Sequence, residues 1–186
     1  MNREPLRLVI LDRDGTINEE SAAFVDSPDA WRPLPGALDA IAKLNHAGWH
    51  VVVASNQSGL GRGLYEISAL NAIQAKMHKL LSAVGGRIDA IFYCPHAADS
   101  KCDCRKPKPG MFKRISETLN VDLTGVPAIG DSLRDLQACA LAGCRPMLVL
   151  TGKGEKTRAE GDLPAGTLEF ADLAAAVDHI LIKEKK

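Results

Sequence analysis

Apolar residues along the chain fall into two kinds of run, and the two kinds alternate. Short, mostly apolar stretches occur at Leu8–Leu11, 49–54 (with Val51, Val52 and Val53 at its centre), 88–93, 126–129, 146–150 and 167–170. Each is the length of a strand covered on both faces. Between them, apolar residues recur at three- and four-residue spacing: Leu38, Ile41 and Leu44; Ile67, Leu70, Ile73, Met77, Leu80, Leu81 and Val84; Met111, Ile115 and Leu119; Leu133, Leu136 and Ala140. That spacing predicts helices over 36–47, 67–84 and Gly110–Leu119, a further helix stopped at Gly143, and a closing helix over 171–182, with Gly48 and Gly85-Gly86 ending the first two. Strand and helix in alternation predict an α/β fold, a doubly wound, mainly parallel sheet with helices on both faces, in one domain over 1–186. Residues 19–31 are irregular and leave no room for a large inserted cap domain; Pro28, Pro33 and Pro35 mark the loop and the start of the next helix.

The strand ends carry the polar chemistry, as the C-terminal edge of an open α/β sheet does when it binds ligands. The first run ends in Asp12-Arg13-Asp14-Gly15-Thr16. Gly15 allows an immediate turn that brings both carboxylates to one pocket, where they need a divalent cation, a shared proton or a basic neighbour. The second empties into Ser55-Asn56-Gln57-Ser58-Gly59-Leu60-Gly61-Arg62-Gly63, a hydroxyl-, amide- and glycine-rich cradle suited to phosphate, with Arg62 in reach of a second anion. The fourth ends in Gly130-Asp131-Ser132-Leu133-Arg134-Asp135, again acid at a strand terminus. Gly152-Lys153-Gly154 lacks the spacing of a nucleotide P-loop.

Cys94, His96, Cys102 and Cys104 form a Cys-x-His, Cys-x-Cys cluster within one short loop. Three thiolates and an imidazole are a tetrahedral zinc set, and four protein ligands leave no open position, so the zinc is structural. Asp103 between the ligands faces solvent. Arg105 and Lys106 follow directly, so an ordered loop aims their cations; Arg105 suits bidentate contact with a second anion, and Lys108 reads as a solvated charge. Cys139 and Cys144, in a small-residue stretch, read as packing residues.

At 186 residues and 46% apolar the chain can bury a core of its own, and 23 basic against 23 acidic side chains give no basic field for coating nucleic acid. No apolar run approaches the roughly 18 residues of a membrane span, and the first five residues do not open a signal peptide. The expectation is a cytoplasmic monomer without nucleic-acid or membrane partners.

In this order, Asp12-Arg-Asp14-Gly-Thr16, Ser55, Lys106 and Gly130-Asp131 resemble the four motifs of the haloacid dehalogenase-like phosphatases over nearly the whole chain. The resemblance implies that Asp12 attacks phosphorus and Asp14 acts as general acid and base. It also implies that Ser55 and Lys106 stabilise the phosphoryl oxygens, and that magnesium is held by Asp12, the Asp14 backbone carbonyl and Asp131. Asp135 then caps its helix or orients Lys106, and Ser132 faces the substrate or caps the helix. The cysteine loop places the chain in the zinc-loop branch. There, Asn-Gln-Ser-Gly-x-x-Arg-Gly and Cys-x-Cys-Arg-Lys-Pro are more similar to the D-glycero-D-manno-heptose 1,7-bisphosphate 7-phosphatases of lipopolysaccharide core biosynthesis than to the histidinol-phosphate phosphatases. A small phosphorylated sugar is the implied substrate, contacted by Asn56, Gln57 and Ser58, with Arg105 and Arg62 on the retained phosphate. Glu20, Ser21, Ala22 and Ala23 would line the mouth beside the zinc loop. A phosphoacceptor receiver domain shares the Asp cluster and lysine but has no use for an acid two residues after the acceptor or for a zinc loop.

Overall fold

A computed structural model describes residues 6–21 and 24–183. The strands are β1 (Leu8–Leu11), β2 (His50–Asn56), β3 (Ala90–Cys94), β4 (Pro127–Gly130), β5 (Arg145–Val149) and β6 (Leu168–Phe170). The helices are α1 (Ala37–His46), α2 (Ser58–Gly61), α3 (Ile67–Ala83), α4 (Gly110–Leu119), α5 (Leu133–Leu141), α6 (Gly154–Glu160) and α7 (Leu173–Lys183). All six strands are parallel in the order β3-β2-β1-β4-β5-β6. The chain therefore builds outward from β1 on one side, then returns to place β4 against its other edge. This switch point opens a crevice at the β1 and β4 ends.

The period of two along each strand divides the interior into two cores. Val9 and Leu11 of β1 with Val51 and Val53 of β2 meet Ile41 and Leu44 of α1, Ile73 and Met77 of α3, and Val177 and Ile180 of α7. Leu8, Ile10, Val52 and Ala54 face the other way, onto Met111, Phe112 and Ile115 of α4 and Ala138 and Cys139 of α5. Each large aliphatic side chain so buried contributes about 1.5–3 kcal/mol relative to exposure, which makes the strands rigid mounts for their C-terminal residues. Cys139 and Cys144 are buried in the second core, as packing residues should be.

The hydrophobic pattern differs from the structure in two places. Ile67 and Val84, at the two ends of the α3 stripe, are exposed, because terminal helix turns project past the sheet they pack on. Helices α2 and α6 are one to two turns long, with too few apolar residues to show a helical period. The described residues of the 19–35 segment form no helix or strand, as the sequence predicts, and are pinned by Lys76 of α3, whose Nζ donates to the carbonyls of Pro28 (2.6 Å) and Trp31 (2.9 Å). Trp31 is fully buried beneath it.

Candidate active site

The C-terminal ends of β1, β2 and β4 and the loop after β3 deliver side chains to one place. Lys106 occupies its centre. It is almost fully buried, and its Nζ donates to Asp12 Oδ1 at 2.8 Å and to the Ala54 carbonyl at 2.7 Å, and lies 2.6 Å from Asp135 Oδ1. Three acceptors satisfy the three ammonium protons. The backbone at Lys106 is held by Asn56: the Lys106 N–H donates to Asn56 Oδ1, and Asn56 Nδ2 donates back to the Lys106 carbonyl, both at 3.1 Å. Asn56, expected beside the substrate, is thus also the clamp that seats the lysine.

Asp135 has both oxygens engaged, one by Lys106 and the other by the Ser132 N–H and hydroxyl. Ser132 and Asp135 make the capping box of α5, so Ser132 serves as helix cap and is absent from the cavity wall described below. Asp12, Asp131 and Asp135 each bring a carboxylate oxygen within 4.8 Å of the others. Because Asp135 is committed to Lys106 and Ser132, Asp12 and Asp131 are the pair with capacity for a hard divalent cation. Asp131 Oδ2 accepts from the Lys153 N–H at 2.8 Å and is wedged against Gly15 and Gly152. A Cβ at either glycine would collide with that carboxylate, and both glycines have positive φ, so the backbone closes on Asp131 only where no side chain intervenes.

Three carboxylates around one ammonium leave an excess of negative charge. Burial, then the Asp135 charge, pushes Asp12 up to about 6 despite its contact with Lys106. Burial, then the charges of Asp12 and Asp135, pushes Asp131 up to about 8. Burial would also raise Asp135, but Lys106 and Ser132 outweigh it and hold it below the usual carboxylate range. Burial alone would lower Lys106, but Asp12 and Asp135 outweigh it and hold the ammonium above its ordinary value. The donor set fits a hard cation: oxygen ligands and more carboxylate charge than the one Lys106 ammonium offsets.

In front of these groups lies a cavity of about 370 Å³. Its wall includes Asp14, Glu20, Ser21, Asn56, Gln57, Ser58, Arg62 and Arg105, bringing together eight residues singled out from sequence. Ala22 and Ala23, expected at the same mouth, lie outside the described residues. Arg13, Phe24, Val25, Arg134 and Lys153 complete the wall and were not anticipated. Five cations, from Arg13, Arg62, Arg105, Arg134 and Lys153, against Asp14 and Glu20, suit an anionic ligand. Lys153 pairs with Glu20 across the mouth, and Arg62 lies over the Phe24 ring at 5.3 Å. Ser55 is buried at the end of β2, and its Oγ accepts from Gln57 Nε2 at 2.7 Å. The glycines of the expected cradle serve close packing instead. A Cβ at Gly59 would strike the Tyr65 ring, and one at Gly61 would lie 2.6 Å from the Pro95 carbonyl oxygen.

A second cluster sits behind Lys106. Cys94 Sγ lies 3.4 Å from His96 Nδ1, 3.7 Å from Cys102 Sγ and 3.2 Å from Cys104 Sγ, and His96 Nδ1 is 3.3 Å from Cys104 Sγ. Thiolates at ~2.3 Å from a tetrahedral metal stand about 3.8 Å apart, so the set has the dimensions of a four-ligand site. Burial, then hydrogen bonding with the Cys104 thiol, pushes Cys94 up to about 12, so an ionised cluster needs a cation at its centre. Asp103 is exposed and outside the set. Arg105 donates to the His96 carbonyl (3.3 Å), and Lys108 Nζ donates to the Cys102 carbonyl (2.6 Å). Lys108, read as a solvated charge, therefore also braces the loop.

Sequence reasoning passed over Arg13, Asn18, Tyr65, Arg134 and Lys153. Only Arg13 carried a usable signal, being an arginine enclosed by two aspartates; Tyr65 stands just outside a helical stripe and Lys153 in a loop tested only as a P-loop.

Residues 7–133 match a family described as polynucleotide kinase 3 phosphatase, and residues 103–176 one described as HAD-hydrolase-like. The chain is 58% identical to the D-glycero-beta-D-manno-heptose-1,7-bisphosphate 7-phosphatase of Bordetella bronchiseptica, over 95% of this chain and 98% of that one. It is 49% identical to the protein of the same name from Pseudomonas aeruginosa, over 94% and 97%. The crystal structure of the B. bronchiseptica D,D-heptose 1,7-bisphosphate phosphatase, complexed with magnesium and phosphate, superposes with a TM-score of 0.95 over 96% of this chain and 99% of that one. The chain belongs to the D-glycero-beta-D-manno-heptose-1,7-bisphosphate 7-phosphatase family of HAD-like hydrolases.

Proposed function

We propose that this chain hydrolyses the 7-phosphate of the beta anomer of D-glycero-D-manno-heptose 1,7-bisphosphate by two successive displacements at phosphorus. The observation that carries the reading is the set at the ends of β1 and β4, where Asp12 contacts Lys106, has Asp131 nearby and stands two residues from Asp14, which lines a cation-rich cavity. Asp12 attacks the phosphorus while the bond from phosphorus to the sugar oxygen breaks, and Asp14 gives its proton to that departing oxygen. Asp14 then takes a proton from water, which attacks the phosphorus of the aspartyl-phosphate and releases Asp12 and inorganic phosphate. Ser55 and the Lys106 ammonium grip the equatorial oxygens through both displacements. Magnesium, held by the Asp12 carboxylate, the Asp14 backbone carbonyl and Asp131, screens the negative charge of the phosphate when bound.

Arg105 and Arg62, with Arg134 alongside, hold the phosphate that stays on the sugar, while Asn56, Gln57, Ser58, Glu20 and Ser21 surround the ring. The beta anomer follows the names of the relatives. Histidinol phosphate fits less well, because it offers one phosphate instead of two and brings an amine among five cationic side chains. Cys94, His96, Cys102 and Cys104 hold a structural zinc that orders the loop preceding Lys106. None of the five cysteines is in a disulfide, which fits a reducing cytoplasm, and no helix among the described residues is long and apolar enough to cross a membrane. We take the working unit to be the monomer.

Steady-state rates on both anomers of heptose 1,7-bisphosphate and on histidinol phosphate test the reading. The expected order in kcat/KM is beta, then alpha, then histidinol phosphate. Preference for histidinol phosphate would overturn the substrate assignment.

A further inference from the structure

The general acid and the hydroxyl that grips the phosphate are tied together by one buried amide. Gln57 Nε2 donates to Asp14 Oδ2 at 3.2 Å and to Ser55 Oγ at 2.7 Å. Its Oε1 accepts from the Tyr65 hydroxyl at 2.7 Å and from Arg13 NH2 at 3.3 Å. Exchanging the amide's oxygen and nitrogen would turn an acceptor toward the Asp14 carboxylate and donors toward the Arg13 guanidinium, which has no lone pair to offer. The orientation of Gln57 is therefore fixed. Gln57 and Tyr65 are both buried, and the Tyr65 ring lies so close to Gly59 that any side chain there would displace it, so the phenol is a rigid strut.

Asp14 is itself only partly buried and faces the cavity. Arg13 and Asn18 also hold it, at 2.9–3.1 Å and 2.9 Å, but both belong to its own turn. Gln57 is the tether that reaches it from β2's side of the crevice, and it also fixes Ser55. The distance between the proton donor and the bound phosphoryl group is then set by Gln57, whose place is set by Tyr65.

We propose that Gln57 and Tyr65 are positioning residues that hold Asp14 at the leaving-group oxygen in register with the phosphate held by Ser55. The inference rests on the phosphatase reading and deepens it. It concerns leaving-group protonation alone, so it predicts a split by leaving group. An alkyl phosphate needs its departing oxygen protonated, whereas p-nitrophenyl phosphate releases a stable phenolate and gains little from an acid.

The test compares Tyr65→Phe and Gln57→Met with wild type on heptose 1,7-bisphosphate, 2-glycerol phosphate and p-nitrophenyl phosphate. Tyr65→Phe should lower kcat on the two alkyl esters by about 5-fold, the scale of one neutral hydrogen bond, with KM changed less than about 2-fold. Its p-nitrophenyl phosphate rate should fall less than about 2-fold by the same leaving-group argument. Gln57→Met also loosens Ser55 and slows every ester, yet its ratio of alkyl to p-nitrophenyl rates should fall at least 10-fold, within the range a general acid supplies. Equal losses on all three esters, or no loss on any, would overturn the proposal. Because 2-glycerol phosphate reports on leaving-group protonation without the heptose, failure of the sugar assignment leaves this result readable. If wild type cleaves none of the three, the phosphatase reading falls, and this proposal with it.

Discussion

Among the described residues, two clusters of side chains suited to holding a metal are built on opposite plans. The carboxylates Asp12, Asp131 and Asp135 come from opposite ends of the sequence and meet because β1 and β4 are neighbours in the sheet. The thiols and imidazole of the second are neighbours in sequence: Cys94 ends β3, and His96, Cys102 and Cys104 follow in the loop between β3 and α4. The first is mounted on two hydrophobic cores and carries its own counter-ion, Lys106. The second has its cations, Arg105 and Lys108, on backbone carbonyls and not on its thiols, and on the proposed reading a metal would order it. Loss of metal at the first should therefore stop chemistry and spare the fold, while loss at the second should loosen the fold and slow chemistry indirectly. Lys106 is the hinge of the comparison, since it follows Cys104 by two residues yet ends among the carboxylates.

The contrast can be broken most sharply at Asp12. Asp12→Asn should reduce turnover by about 10⁴-fold or more, the scale of a lost nucleophile, with an unchanged thermal midpoint; a variant with more than a tenth of the wild-type rate would separate Asp12 from the chemistry. Lys106→Met leaves Asp12 and Asp135 facing each other without a cation. Removing one partner of a buried pair costs about 3–5 kcal/mol, so the midpoint should fall by roughly 10 °C at 2–4 °C per kcal/mol, with activity lost as well. A midpoint within a degree of wild type would show that the two acids need no ammonium between them.

Cys102→Ser, or chelation of zinc followed by return of magnesium, should act in the opposite proportion. The midpoint should drop by roughly 5 °C or more while kcat falls only about 10-fold; full activity and full heat stability after chelation would remove the structural role of the loop. A smaller effect follows from Asp131. Its folded pKa of about 8 lies above the unfolded value of 3.8, so the native state binds more protons than the unfolded chain between those limits. Without magnesium, this group makes stability fall as pH rises from about 4 to about 8. Magnesium favours the ionised form, so the midpoint it adds should be larger at pH 8 than at pH 6; an equal gain at both would exclude Asp131 as a ligand. The smallest expected effect is at the mouth, where Glu20→Gln breaks a half-exposed pair with Lys153 and should cost no more than about 1 kcal/mol.

How much of this was legible in the sequence follows the same division. Buried parallel strands are continuous apolar runs, so β1, β2 and β4 stand out, and the polar groups at their ends are read with them. A four-ligand loop is local, so Cys94 to Cys104 is visible as a motif without any fold. Side chains whose meaning depends on a partner far along the chain were not legible. Asn56 reads as a substrate contact until its amide is seen clamping Lys106, and Tyr65 has no signal until its hydroxyl is seen on Gln57. Ser132 is the instructive case: the same residue type serves as cap or as ligand, and its capping box with Asp135 is visible only in the structure. Lys153 and Arg134 enter the cavity wall only through the placement of the loop after β5 and of the first turn of α5.

The central claim is that Asp12 forms a covalent bond to phosphorus. Stopping wild-type protein in acid during turnover, reducing any acyl phosphate with borohydride and sequencing the peptides by mass spectrometry tests it directly. The expected product is homoserine at position 12, absent without substrate and absent in Asp12→Asn. Turnover with no reduced residue at position 12, or with the reduced residue at Asp14 or Asp131, would contradict the account.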